Sequence, residues 1–211
     1  MSKYAALLIA LLLSGGSVLA QYDYEPLETI PTHKNERAFS FSLTTNGMGF
    51  GGLYRIAMPN YSHLGLNLEF FVVRDDNEID LIDYFGNAYK LNDLNRLFVI
   101  PANVEFKKRL FVDSIEDNFR PHIMIQSGVV FGMNFPKERV VGDQNGSRII
   151  RPANEYRFAY DLLLGFGVDI ATRKDVFATI RPQYRFMWFT DEIADKVNHH
   201  TFEIKLEIGA N

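Results

Sequence analysis

The chain has 211 residues, contains no cysteine and carries a formal net charge of −4. Without cysteine it forms no disulfide, no thiolate metal site and no lipid-modified N-terminal cysteine. The mild acidity argues against a nucleic-acid-binding protein, because phosphate contacts require a basic surface.

Residues 1–20 have the organisation of a secretory signal peptide. Lys3 supplies the positive charge, residues 5–13 form the apolar core, and residues 18–20 offer a cleavage site. The apolar core is shorter than the ~20 residues that a membrane-spanning helix needs. We therefore expect a signal peptide over 1–20, a periplasmic lead-in over 21–37 and one barrel domain over 38–211.

From residue 38 onward, apolar and polar residues alternate in segments, which is typical of β-strands with one apolar and one polar face. Eight such segments follow one another, an even number, as in bacterial single-chain barrels. They cover residues 38–45, 53–58, 64–74, 96–108, 119–133, 156–170, 176–188 and 202–208.

The hairpin between residues 155 and 189 indicates which face of the sheet points outward. One face carries large apolar groups such as Phe158 and Tyr160, and the other carries charges beside Gly165 and Gly167. Large groups fit the convex outside of a narrow barrel, and glycines leave room inside for long arginines. The prediction is an all-β fold, an eight-stranded antiparallel up-and-down transmembrane β-barrel. The alternative is a soluble lipocalin-like barrel or sandwich with the two faces exchanged.

The inward positions predict a plug of alternating charge in the lumen, because buried charges must be paired to offset their desolvation. Its predicted members are Glu69, Glu105, Lys107, Arg157, Asp161, Asp169, Arg181, Arg185, Glu203, Lys205 and Glu207. If the hairpin loop is 172–174, Ala171 pairs with Asp175, Gly165 faces Arg181, and Asp161 faces Arg185. The competing interpretation of the same charges is a polar conduit.

The lengths of the connections predict the orientation of the barrel. Segments 46–52, 75–95, 134–154 and 190–199 would lie outside the cell, and turns 59–63, 109–118 and 172–175 would lie in the periplasm with both termini. An aromatic girdle is expected toward the outer end. Its predicted members are Phe131, Tyr156, Phe158, Tyr184, Phe186 and Trp188. Pro101 and Pro182 interrupt two strands, and we expect a bulge or local water at each.

A search for catalytic parts gives little. Ser62-His63 lies in a predicted periplasmic turn. His199-His200 follows Asp191, Glu192 and Asp195 in a predicted outer loop, and these histidines and acids together are candidate ligands for a divalent metal. A nucleophile needs a base within hydrogen-bond reach, and Ser147 is the one serine noted in the outer loops. We predict no enzymatic activity, no cofactor and no metal.

The chain resembles the small outer-membrane β-barrel proteins of the OmpA/OmpX-like group. The resemblance is carried by the patterns at 156–160, 165–169 and 202–208, and the segments 108–111 and 117–121 also resemble uncharacterised barrel proteins of Bacteroidota-type bacteria. It implies an outer-membrane location, contact with membrane lipid and lipopolysaccharide, and insertion by the barrel-assembly machinery. Such barrels usually end in an aromatic residue, whereas this sequence ends Ile208-Gly209-Ala210-Asn211.

The predicted function is a structural or surface-interaction role for a barrel with a plugged lumen, with no nucleic-acid partner. An extracellular ligand would bind through loops 75–95 and 134–154. Two alternatives stay open: a channel or carrier for small or lipophilic solutes, and a lipid A-modifying enzyme that uses a rim histidine.

Overall fold

The computed structural model describes residues 34–74, 79–91, 95–112, 114–115, 119–143, 146–150, 152–173 and 175–210. The predicted signal peptide and most of the predicted lead-in lie outside the described residues. No helix in these ranges is long and apolar enough to cross a membrane.

Twelve strands make up the described chain. They are β1 (Glu36–Thr44), β2 (Gly47–Met58), β3 (Ser62–Val73), β4 (Ile79–Ile82), β5 (Ala88–Leu91), β6 (Leu97–Arg109), β7 (Phe119–Asn134), β8 (Arg139–Asp143), β9 (Gly146–Ile150), β10 (Glu155–Arg173), β11 (Val176–Ile193) and β12 (Lys196–Ala210). β1 begins inside the predicted lead-in, at an inward-facing glutamate that apolar alternation does not reveal.

Eight of these strands close into one antiparallel barrel in the order β1-β12-β11-β10-β7-β6-β3-β2. β1 and β12 seal it, paired from Arg37–Ala210 to Thr44–Glu203. Every barrel strand pairs with its neighbour along the chain, so the topology is up-and-down. The remaining strands form two separate hairpins, β4–β5 and β8–β9, within the connections β3–β6 and β7–β10. The predicted eight-stranded fold is therefore confirmed.

The two ends of the barrel differ in their connections. The loop end carries the β4–β5 and β8–β9 hairpins, and the turn end carries both Arg37 and Ala210. At the loop end the β1–β2 connection is only Thr45-Asn46, and β11 and β12 meet at Ala194-Asp195. Ala194 and Asp195 have φ angles of 50° and 63°, as a two-residue hairpin turn of type I′ requires.

The predicted outer loops 46–52 and 190–199 are therefore wrong, because nearly all of these residues belong to strands. The glycines of 47–52 belong to β2, and two of them, Gly49 and Gly51, face the interior and leave space there for Phe71 and Glu69. A Cβ placed on Gly49 would lie 2.5 Å from the ring of Phe71. The mostly polar residues 190–197 lie beyond the Trp188–Asn198 pair, at the loop end of β11 and β12.

The outside of the barrel is apolar around its circumference. Exposed residues on it include Phe39, Leu66, Tyr160 and Ile208, whose exposed fractions are 83%, 67%, 68% and 68%. Outward-facing charges such as Arg37 and Lys108 stand at strand ends. The shortest barrel strand has nine residues, and crossing a bilayer takes about 9–11.

The two predicted proline bulges are absent, since the register continues unshifted past both residues. Pro101 is paired with Val130, and Pro182 with Ile204. On the other side of each proline the ladder omits a few pairs without changing its offset. This fits a residue that lacks a backbone donor.

Candidate functional site

The interior of the barrel is filled by three groups of side chains, two apolar and one ionic. The apolar layer at the loop end consists of Phe71, Leu97, Val99, Val130, Ala159, Met187, Phe189 and Ile193. The ionic network beneath it consists of Glu36, Arg55, Glu69, Glu105, Lys107, Arg109, Asp161, Asp169, Arg181, Arg185, Glu203, Lys205 and Glu207. A second, smaller apolar cluster consists of Ala38, Leu53 and Phe177, and Glu36 and Arg55 of the network lie closer to the turn end on the same strands. With seven carboxylates and six cations, the network is close to charge balance.

Arg185 organises the half of the network nearest the loop end. Its Nη2 lies 2.5 Å from Glu69 Oε2, its Nη1 lies 2.6 Å from Asp161 Oδ2, and its Nε lies 2.7 Å from Glu203 Oε1. Lys205 Nζ contacts the second oxygen of Glu69 at 2.7 Å. The guanidinium uses all three of its nitrogens on carboxylates, which is the charge-assisted geometry that compensates burial best.

Arg55 holds the corresponding position nearer the turn end. Its Nε donates to Glu105, its Nη1 lies 3.0 Å from Glu36 Oε2, and its Nη2 lies 2.9 Å from Glu207 Oε2. Arg181 Nη2 shares Glu207 at 2.5 Å. Four strands, β1, β2, β6 and β12, are thus joined through one side chain.

Glu36 and Asp169 are the two acids on which the cations of β6 converge. Lys107 Nζ lies 3.1 Å from Glu36 Oε2 and 2.7 Å from Asp169 Oδ2. Arg109 Nη2 lies 2.7 Å from Glu36 Oε1. His122 Nδ1 lies 3.3 Å from Asp169 Oδ1. All of these side chains are buried.

The structure places the predicted plug residues inside the barrel, with one exception. Arg157 lies at the mouth, because β10 begins at Glu155, and its Nη2 is 3.3 Å from Asp191 Oδ2. Its side chain is 37% exposed, so it belongs to the rim and not to the lumen. The network also contains Glu36, Arg55 and Arg109, which the prediction left out. Arg55 occupied an inward position in a predicted strand, so the alternation could have found it.

The predicted register of the 155–189 hairpin is wrong. Ala171 pairs with Phe177, and Gly165 pairs with Gln183. The observed pairs differ from the predicted ones by two residues, and an irregularity between Ala171 and Arg173 shifts the register by one residue. Arg181 nevertheless lies over Gly165, because a Cβ on that glycine would be 3.1 Å from Arg181 Cδ.

The six predicted girdle aromatics lie on the outer surface toward the loop end. Phe186 and Trp188 stack with ring centroids 5.8 Å apart, and Phe131 contacts Phe158 at 5.1 Å. Further aromatics that the prediction did not include extend this band around the barrel through consecutive ring contacts of 5.5–6.1 Å. They are Phe50, Phe70, Phe98 and Phe135, which connect to Tyr156.

The residues considered for catalysis are separated and already engaged. Ser62 Oγ donates to the carbonyl of Asn60, and His63 Nε2 lies 3.5 Å from Glu36 Oε1 at the turn end. At the loop end His199 contacts the Phe189 ring and His200 stacks on Tyr184. Among the described side chains, which do not include Ser147, no cluster of three or more metal-ligating residues is found.

No protein-family model and no curated protein sequence matches the chain. Solved structures similar to it include Neisserial surface protein A (11% identity, 83% of this chain, 93% of that one, TM-score 0.46). A second is the N-terminal β-barrel domain of Pseudomonas aeruginosa OprF (8% identity, 84% of this chain, 97% of that one, TM-score 0.42). A third is Yersinia pestis Ail in complex with the heparin analogue sucrose octasulfate (12% identity, 84% of this chain, 98% of that one, TM-score 0.41). At such identities the similarity concerns the fold alone.

The closed barrel, its apolar exterior and its ionic interior define a transmembrane β-barrel. Within that class, the eight-stranded up-and-down topology is the architecture of the small outer-membrane barrel proteins.

Proposed function

We propose that this protein is a non-enzymatic outer-membrane barrel whose lumen is closed and whose activity lies in its surface hairpins. The observation that supports a closed lumen best is the continuity of the filling. Arg55, Lys107, Arg181, Arg185 and Lys205 are each at most 1% exposed. A conducting pore would leave water around such charges, whereas these side chains are neutralised by direct contact.

The apolar layer supports the same conclusion from the loop end. Val130 and Ile193 are completely buried there, and a Cβ on Gly132 would lie 2.6 Å from Phe189 Cε1. An apolar layer this dense excludes hydrated ions, because an ion that passes it would lose its water without gaining a partner.

The first residues of β1 and the last residues of β12 lie at the turn end. We assign the turn end to the periplasm, so the β4–β5 and β8–β9 hairpins lie outside the cell. The girdle then lies at the level of the lipopolysaccharide head groups and acyl chains. We further propose that the barrel-assembly machinery inserts the protein.

The β4–β5 hairpin is the best candidate for contact with an extracellular ligand. Ile82, Tyr84 and Phe85 at its tip are 75%, 98% and 85% exposed. The tip is ordered by Asp83, whose Oδ1 accepts hydrogen bonds from the backbone of Phe85 and Asn87 at 2.9 and 2.8 Å. Rigid exposed aromatic groups bind partners at a low entropic cost.

Single-channel recording in planar bilayers tests the closed lumen. The wild type should give no large stable channels. A variant in which alanine replaces Phe71 and Phe189 of the apolar layer and Arg185 of the ionic network should conduct. Large stable channels from the wild type would show that the lumen is a conduit.

Two further measurements test the remaining parts of the proposal. Vesicles that carry Tyr84→Ser/Phe85→Ser should adhere less to cell surfaces than the wild type, whereas Ile149→Ser on the other hairpin should leave adhesion unchanged. For the enzymatic alternative, lipid A mass spectra should be identical with and without the protein, and with His200→Ala. A lipid A species that appears only with the wild type would identify an enzyme.

A further inference from the structure

The barrel wall is lower at β1 than at its neighbour β12. The pairing of the two strands ends at Thr44–Glu203, followed by a hydrogen bond of 3.0 Å from Thr45 N to the carbonyl of Phe202. β12, however, begins at Lys196 and stays paired with β11 at Trp188–Asn198. The step between the Thr45-Asn46 turn and residues 196–201 of β12 is called the notch below.

A cavity of about 90 Å³ lies at the notch. Its floor is formed by the apolar side chains of Phe71, Val73, Leu97, Val99 and Met187, and Arg185 and Glu203 of the ionic network also line it. Residues from both faces of β12, inward Thr201 and outward His200, border it. Because outward and inward residues line the same space, the cavity communicates with the outer surface of the barrel.

The notch lies at the level of the aromatic girdle. Asn198 pairs with Trp188, His200 pairs with Phe186, and Phe202 pairs with Tyr184. The medium beside these residues in an outer-membrane barrel is the region where head groups meet acyl chains. The cavity thus borders the lipid-facing surface at the level of the girdle.

We propose that the notch binds the acyl chain of a membrane amphiphile, which enters sideways from the outer leaflet and lies against Phe71, Val99 and Met187. Arg185 also lines the cavity, but it is paired with three carboxylates and offers no charge to a head group. A cavity of about 150 Å³ admits benzene, so the smaller space here accepts the end of a chain and leaves the rest of the lipid outside. This site is independent of whether the lumen conducts.

The test uses the full barrel in phosphatidylcholine nanodiscs with a palmitoyl lysophospholipid that carries a diazirine at the chain end. After irradiation, mass spectrometry locates the labelled residues. We expect label on floor residues as well as on the lipid-facing surface, and an excess of unlabelled lysophospholipid should compete only with the floor label. Label confined to outward residues such as Phe202 would overturn the proposal.

Cavity-filling variants make the test specific. Thr44→Phe, at the notch, should reduce the floor label by about tenfold or more and leave the surface label unchanged. Ser127→Phe, on the lipid-facing side of β7, is the matched control and should change neither. If Thr44→Phe does not fold, Val99→Phe fills the same cavity from the floor. Floor label that persists in a folded filling variant would contradict the site.

Discussion

Arg185 and Asp161 form a buried ion pair across strands that do not place them opposite each other. Arg185 Nη1 lies 2.6 Å from Asp161 Oδ2, although the cross-strand partner of Arg185 is Leu163 and that of Asp161 is Met187. The pair is therefore diagonal, and only a long, inward-pointing side chain can make it. The same reach lets Arg185 contact β3 and β12 as well.

Replacing Arg185 with methionine should destabilise the barrel by about 3–5 kcal/mol, because Glu69, Asp161 and Glu203 would lose a shared cation while remaining buried. Lys205 would still neutralise Glu69, so the loss would fall mainly on the other two acids. Urea unfolding in lipid vesicles, followed by the fluorescence of Trp188, measures the change.

Arg157→Met is the matched control for that experiment. Arg157 also pairs with an aspartate, but both side chains are partly exposed, 37% for Arg157 and 68% for Asp191. Exposed pairs contribute only about 0–1 kcal/mol. If the two substitutions lowered the free energy of unfolding equally, the ionic network would not be the main source of the electrostatic stabilisation.

The fold could be predicted because strand alternation and loop spacing are local features of the sequence. The register could not, since it depends on an irregularity at Ala171/Arg173 that no composition rule marks. The Asp161–Arg185 contact was nevertheless anticipated, because a flexible arginine tolerates a shift of two residues. Contacts between long side chains are thus easier to predict than backbone pairs.

Glu36 shows the opposite case. It accepts contacts from Arg55, Lys107 and Arg109, yet it stands before the first apolar alternation and reads as part of a polar lead-in. The glycines of 47–52 were misjudged for a related reason. Glycine favours turns, but in a narrow barrel it also provides interior space, and only the partner side chain distinguishes the two roles.

Gly128→Ala should destabilise the barrel by about 1–3 kcal/mol. A Cβ at this position would overlap the carbonyl oxygen of Ala102 and the Oδ1 of Asn103, and it would lie 2.8 Å from Asn103 Cα. Part of that clash is with backbone, which no rotamer change relieves. Ser127→Ala, one residue earlier on the lipid-facing side, should leave the unfolding curve almost unchanged. If Gly128→Ala left the unfolding curve unchanged, β6 and β7 would be less tightly packed than the structure shows.

The β4–β5 tip should keep its order at neutral pH and lose it only in acid. Hydrogen bonds from the Asn87 side chain and backbone hold the pKa of Asp83 below its usual 3.8. A lowered pKa means that the stabilisation is present above the unfolded value and disappears as the pH falls through the folded one. The amide resonances of Phe85 and Asn87 should titrate with a midpoint below 3.8. In Asp83→Ala they should report a disordered tip throughout, and a midpoint above that value would contradict the prediction.

The sole tryptophan provides a direct test of which face of the barrel meets lipid. Trp188 is 42% exposed on the outer surface and stacks on Phe186. Brominated phosphatidylcholines should quench its fluorescence, and bromine near the head group should quench more strongly than bromine at the chain end. Moving the tryptophan one position, in Trp188→Phe/Phe189→Trp, puts it in the apolar layer inside the barrel and should abolish most of the quenching. Quenching at neither position would mean that the outer face does not meet lipid, and it would exclude a membrane barrel.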